Sequence, residues 1–204
     1  MQSDSAAQFQ DLAGCIECLS PQERLVCAYL SIRDIPYGSP NSPSPSTVIE
    51  RNRGTGKGKH MLLKMVLLSL GYEVKQFWAR HDFSRLPIHP WPDALTAFRG
   101  EKITGFHDFL KVRIGDRWVT VDATYDAPLE RLGFPVYAWD GLGDIPLPVA
   151  VEETFPVEEP IDEHKRKLVA ALPETMRQKR KEFLKTLKKW LEEERSRCGH
   201  GHAK

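Results

Sequence analysis

The spacing of apolar residues changes several times along the chain, and each change predicts a different element. Between residues 8 and 33 they recur at helical steps, and Ser20-Pro21 suits the N-cap and first position of a second helix. Residues 36–47, PYGSPNSPSPST, are too dense in Pro and Ser for either regular period and predict an irregular loop. From 56 to 70, Met61, Leu62, Leu63, Met65, Val66, Leu67, Leu68 and Leu70 leave hardly a polar face. That pattern predicts a central, buried helix, with Thr55 as its N-cap and Gly71 just past its end. The stretch YEVKQFW at 72–78 reads as a strand, and FHDFLKVRI and RWVTVDATY read as two more joined by Gly115-Asp116. The prolines of VEETFPVEEPID predict a connector. Beyond it, Leu168, Leu172, Met176, Phe183, Leu184, Leu187, Trp190 and Leu191 predict an amphipathic C-terminal helix, interrupted near Leu172 by Pro173. Helices first, then a buried helix feeding antiparallel strands, is an α+β pattern. The expected organisation is one domain over 1–160, a helical segment over 161–197 and a flexible tail over 198–204.

The hairpin has a definite geometry. A two-residue loop at Gly115-Asp116 sets Ile114 opposite Arg117 and His107 opposite Thr124. Alternation then gives a core face of Leu110, Val112, Ile114, Val119 and Val121. The other face carries His107, Phe109, Trp118, Thr120 and Asp122, with His107 and Asp122 as diagonal neighbours roughly 7–8 Å apart by backbone. A carboxylate so placed can accept the imidazole N–H and fix its tautomer, or the two can simply share a solvated sheet face.

The turn RNRGTGKGKH at 51–60 opens the buried helix. A phosphate-binding loop needs Gly, four residues, then Gly-Lys-Ser/Thr; Arg53 and His60 break that pattern at two fixed positions. A helix N-terminus can instead display a nucleophile, because its dipole and free N–H groups stabilise a thiolate or an oxyanion. Gly56 occupies the first helical position, where such a side chain would sit. Arg51, Arg53, Lys57 and Lys59 surround this end in sequence, either as solvated surface or as a site for a carboxylate, a phosphate or a peptide backbone.

Composition narrows the class without naming a function. In 204 residues, 41% are hydrophobic and 28% charged, which suits a globular chain. The net charge of +1 hides an asymmetry. Residues 161–197 hold 12 basic and 7 acidic side chains, a net of +5, and the rest hold 17 against 21, a net of −4. This balance points away from nucleic acid, and no apolar run is long enough for a membrane span. MQSDSAAQFQ lacks the basic and apolar regions of a secretory signal, so a cytoplasmic setting with reduced thiols is expected. Cys15, Cys18 and Cys27 lie in the N-terminal helical region. Cys15-x-x-Cys18 could join Cys198, His200 and His202 in a zinc site, but only one half has usual spacing, and neither metal nor cofactor is expected.

IRDIPYGSP, RNRGTGKGKHMLLKMVLLSLGYEVK and GFHDFLKVRIGDRWVTVDATYD, with the spacing between them, resemble the transglutaminase-like superfamily over roughly residues 28–150. The resemblance implies a papain-like architecture and cysteine-dependent acyl chemistry on amides. It implies that His107 is the general base and Asp122 its orienting carboxylate. It also maps the family's nucleophilic Cys onto Gly56, which has nothing to attack with. The expectation is therefore an inactive homologue whose cleft binds a peptide or protein ligand or serves regulation. The alternative is transamidation or peptide hydrolysis in a parent active form, or through another nucleophile.

Overall fold

The computed structural model describes residues 19–158 and 160–199, and the elements that follow are numbered within them. The chain is α+β. Helices α1 (Pro21–Arg33), α2 (Pro45–Arg51) and α3 (Gly56–Ser69) precede strands β1 (Val74–Asp82), β2 (Thr104–Ile114) and β3 (Arg117–Val121). Then come β4 (Val151–Pro156), α4 (Ile161–Ala170) and α5 (Glu174–Gly199), with short 3-10 turns at Phe83–Arg85, Asp93–Phe98 and Ala127–Leu132. The strands form one antiparallel sheet in the order β3-β2-β1-β4.

Local chemistry explains the boundaries. Ser20 caps α1 in a capping box with Glu23, and Pro21 takes the first helical position. Thr55 caps α3, and Gly71, at φ +87°, adopts the left-handed conformation that ends it. In the hairpin Ile114 pairs with Arg117 across Gly115-Asp116, as the alternation requires. The third predicted strand is shorter than the RWVTVDATY pattern and ends at Val121.

Three expectations change. Residues 36–47 are not all loop, because Ser44 accepts the Thr47 N–H and Pro45 starts α2. VEETFPVEEPID is not merely a connector, because Val151–Pro156 pairs with β1. Such an edge strand tolerates a proline and a row of exposed glutamates, which is why its pattern reads as irregular. Helix α3 is not buried all round, since Met65 and Leu68 are each 49% exposed. Its inward face is Leu62, Leu63 and Leu67.

A core lies on each face of the sheet. On one, Leu25, Tyr29 and Ile32 of α1 and the inward leucines of α3 pack on Leu110, Val112, Val119 and Val121. On the other, Phe183, Leu187 and Leu191 of α5 pack with Ala79, Phe109, Leu129 and Phe134. Phe109 therefore lies on a covered face, not a solvated one. The amphipathic stripe predicted after Pro173 is the surface by which α5 docks. Arg195 adds an ion pair at 2.6 Å to Asp126, which is buried. No helix among the described residues is long and apolar enough to cross a membrane.

Candidate functional site

His107 near the start of β2, Asp122 just past the end of β3 and His81 at the end of β1 gather at one end of the sheet. The diagonal relation read from the hairpin closes into a contact. His107 Nε2 lies 2.5 Å from Asp122 Oδ2, and Asp122 Oδ1 accepts the Thr124 N–H at 2.9 Å. With Asp122 ionised, Nε2 carries the proton it donates, and Nδ1 is left to take up or give a proton. Burial alone would raise the Asp122 pKa. The charge of His107 and the hydrogen bonds from His107 and the Thr124 N–H outweigh it and hold the carboxyl down to about 2.

The neighbouring histidines differ. His60, one turn into α3, is fully buried and accepts the Ala123 N–H on Nε2 at 3.0 Å. That nitrogen therefore has no proton, and its 3.9 Å approach to Asp122 Oδ2 is not an ion pair. Burial lowers the His60 pKa against the pull of Asp122, consistent with a neutral ring. His81 is also buried, and desolvation followed by the charge of His107 brings it down to about 3. His107 thus stands between two neutral imidazoles, with ring centroids 6.3 Å away on each side.

Gly56 opens α3 and lines a cavity of about 330 Å³ together with His107, Thr124, His81 and Lys57. The α5 helix closes one side of it with Arg180, Leu184 and Leu187, and α4 contributes Lys165. A Cβ on Gly56 would stand 3.1 Å from Thr124 Oγ1 and 3.3 Å from Thr124 Cγ2, closer than side chains usually pack. Cys27 is a free thiol on α1 and does not line this cavity. Cys15, Cys18, His200 and His202, and the Cys198 side chain, lie outside the described residues, so the zinc reading concerns nothing described. Among the described residues no cluster of His, Cys, Asp and Glu could hold a metal ion.

The ring of basic residues expected around the helix N-terminus is largely dispersed. Lys59 is fully buried, and its Nζ donates to the carbonyls of Arg33 (2.7 Å), Ile35 (2.9 Å) and Thr124 (2.9 Å). It joins the end of α1 to the strand exit, not to a ligand. Desolvation brings its pKa down to about 7 against the pull of Asp126, Asp122 and Asp34. Arg53 turns toward Glu192 at 3.5 Å and lines a neighbouring hollow, and Lys57 pairs with Asp162. Arg51 is exposed and does not line the cavity.

The cavity's other cations, Lys165 and Arg180, come from helices more than 100 residues beyond Gly56, where no local pattern marks them. Thr124 could have been found from the sequence, since the hairpin register sets it opposite His107.

No protein-family model matches the sequence, and neither does any curated protein. Among solved structures, the chain is similar to one from Cytophaga hutchinsonii whose own assignment as a cysteine protease is provisional. That match has 18% identity and a TM-score of 0.41, and it covers 65% of this chain and 42% of the other.

Proposed function

We propose that this chain is a transglutaminase-like homologue of papain-like architecture in which the nucleophile position is vacant and the cleft serves binding. The observation that carries this reading is the His107–Asp122 contact at 2.5 Å, facing the same cavity as Gly56 at the first position of α3. In acyl transfer on an amide, a thiol at position 56 would attack the carbonyl. His107 would take its proton through Nδ1, Asp122 would hold the imidazolium, and the α3 N–H groups would face the oxyanion. The base and its orienting group are present here without the attacker. A Cβ restored at Gly56 would press on Thr124, which must give by a few tenths of an ångström to admit it.

The test is Gly56→Cys, alone and with Thr124→Ala to relieve the crowding. Iodoacetamide labelling and hydrolysis of a Gln-containing peptide are the readouts. The native chain is expected to be inert, and the double variant to gain a fast-labelling thiol and amidase activity above the single variant. Amidase activity of the native chain that survives thiol alkylation would overturn the proposal and favour an enzyme with another nucleophile.

A further inference from the structure

The cavity beside His107 holds one positive charge that no carboxylate among the described residues offsets. Lys57 is paired with Asp162, and Lys165 is paired with Asp108 at 2.8 Å. Arg180 lines the same cavity half-buried, its Nε is shielded from water with no acceptor, and it forms no ion pair among the described residues. Burial lowers its pKa, and no carboxylate opposes that shift. A guanidinium N–H shielded from water without an acceptor is unfavourable unless a ligand supplies one, and the half-buried terminal nitrogens beside it face the same cavity.

A second polar group is also unsatisfied. Thr124 is 3% exposed, and its Oγ1 has no hydrogen-bond partner among the described residues. It points at the N-terminus of the 14-residue helix α3, 3.1 Å from where a Gly56 Cβ would be. The N–H groups of Gly56 and Lys57 in that first turn have no intrahelical acceptor, and the helix dipole favours an anion there.

The adjoining hollow sets the rest of the ligand. It has a volume of about 290 Å³, shares Tyr37, Thr55, Leu184 and Leu187 with the first cavity and extends along Leu191. An acidic ligand held at α3 would therefore lay its remaining atoms on an apolar wall.

We infer that the two hollows form one site for a carboxylate carried on an aliphatic body. The head meets the α3 N-terminus, the Thr124 hydroxyl and Arg180, and the body runs along Leu184, Leu187 and Leu191. In the hollow that takes the head, one unpaired cation matches a monoanion, whereas a dianionic phosphate would bury an uncompensated charge there; Arg53 and Lys188, at the far hollow, share Glu192. A free aliphatic acid and the apolar C-terminal residue of a peptide share this chemistry. The inference rests on the reading that the cleft binds rather than reacts.

Calorimetry on the full chain tests it with four probes: octanoate, octanamide, acetyl-Ala-Ala-Leu with a free carboxylate, and the same peptide amidated. The acids are expected to bind at least tenfold more tightly than their amides. Tighter binding of octanoate identifies a free acid, and tighter binding of the peptide acid identifies a C-terminus. Arg180→Gln should weaken the acids tenfold or more, leave the amides unchanged and raise the melting temperature of the ligand-free protein. Thr124→Val should weaken the acids several-fold. Equal affinity for acids and amides, or acid binding indifferent to Arg180→Gln, overturns the inference while leaving a cleft that binds. Absence of heat with all four probes overturns it too, and the vacant-nucleophile reading then stands or falls on the thiol labelling of Gly56→Cys.

Discussion

Phe183→Ala tests whether α5 is built into the domain or merely lies on it. Phe183 is fully buried. Its ring lies 4.9 Å from that of Phe83 and 5.4 Å edge-on from that of Phe98. Truncating a buried Phe to Ala costs about 3–5 kcal/mol, as transfer free energy and the cavity left behind. Each lost aromatic pair is worth about 0.5–1.5 kcal/mol beyond the buried area, which places the variant at the upper end of that range. In a chain of this size, about 1 kcal/mol moves the melting temperature by roughly 2–4 °C, so a fall of about 8–20 °C is expected. Thermal and urea unfolding followed by circular dichroism and tryptophan fluorescence would measure it, with coincident transitions checking two-state behaviour. A fall of less than about 2 °C would refute the reasoning, because a helix whose central anchor can be deleted freely is not packed as described.

Two further outcomes follow from buried titratable groups. His81 has a folded pKa of about 3 against an ordinary 6.5, so the unfolded chain takes up its proton first and stability falls as the pH drops below 6.5. At pH 5 this amounts to about 2 kcal/mol, with His60 acting in the same direction. Asp122, held at about 2 against 3.8, contributes stability that is present above pH 3.8 and is lost as the pH falls toward 2. Melts of the native chain and His81→Leu between pH 7.5 and 5 should show a shallower slope for the variant, and parallel slopes would count against a buried neutral His81. Lys59→Met leaves three carbonyls without their donor, at about 1–3 kcal/mol each, partly offset by release of a buried charge. It should destabilise by at least about 2 kcal/mol in urea unfolding, against less than about 0.5 kcal/mol for Lys64→Met on the same helix.

The hairpin was the most legible part of the fold, because its two-residue turn and strict alternation leave a single register, and that register already paired His107 with Asp122. The ends of α1 and α3 were legible for a similar reason, since Ser20, Thr55 and Gly71 act within one helical turn of themselves. Helix α2 and strand β4 were not. Pro45 begins a helix inside a Ser-Pro run, and the glutamates of β4 face solvent on an edge that needs no apolar alternation. Lys59 shows the limit most clearly. By sequence it belongs with its basic neighbours, yet its direction along the helix sends it inward to three carbonyls. Which basic residues reach the cavity depends on how α4 and α5 fold back across the sheet, and a window of local sequence carries no trace of that.

The docking of α5 also orders the site in time. Gly56, His107, Asp122 and Thr124 leave the ribosome before Arg180 does, the last of them by 56 residues. At roughly 5–20 residues per second, the gap is about 3–11 s. During those seconds the imidazole–carboxylate pair can form in a cleft that lacks both its unpaired guanidinium and its leucine wall. That side of the cleft is therefore completed well after the rest of it, as Phe183, three residues beyond Arg180, and then Leu187 and Leu191 dock α5 on the sheet.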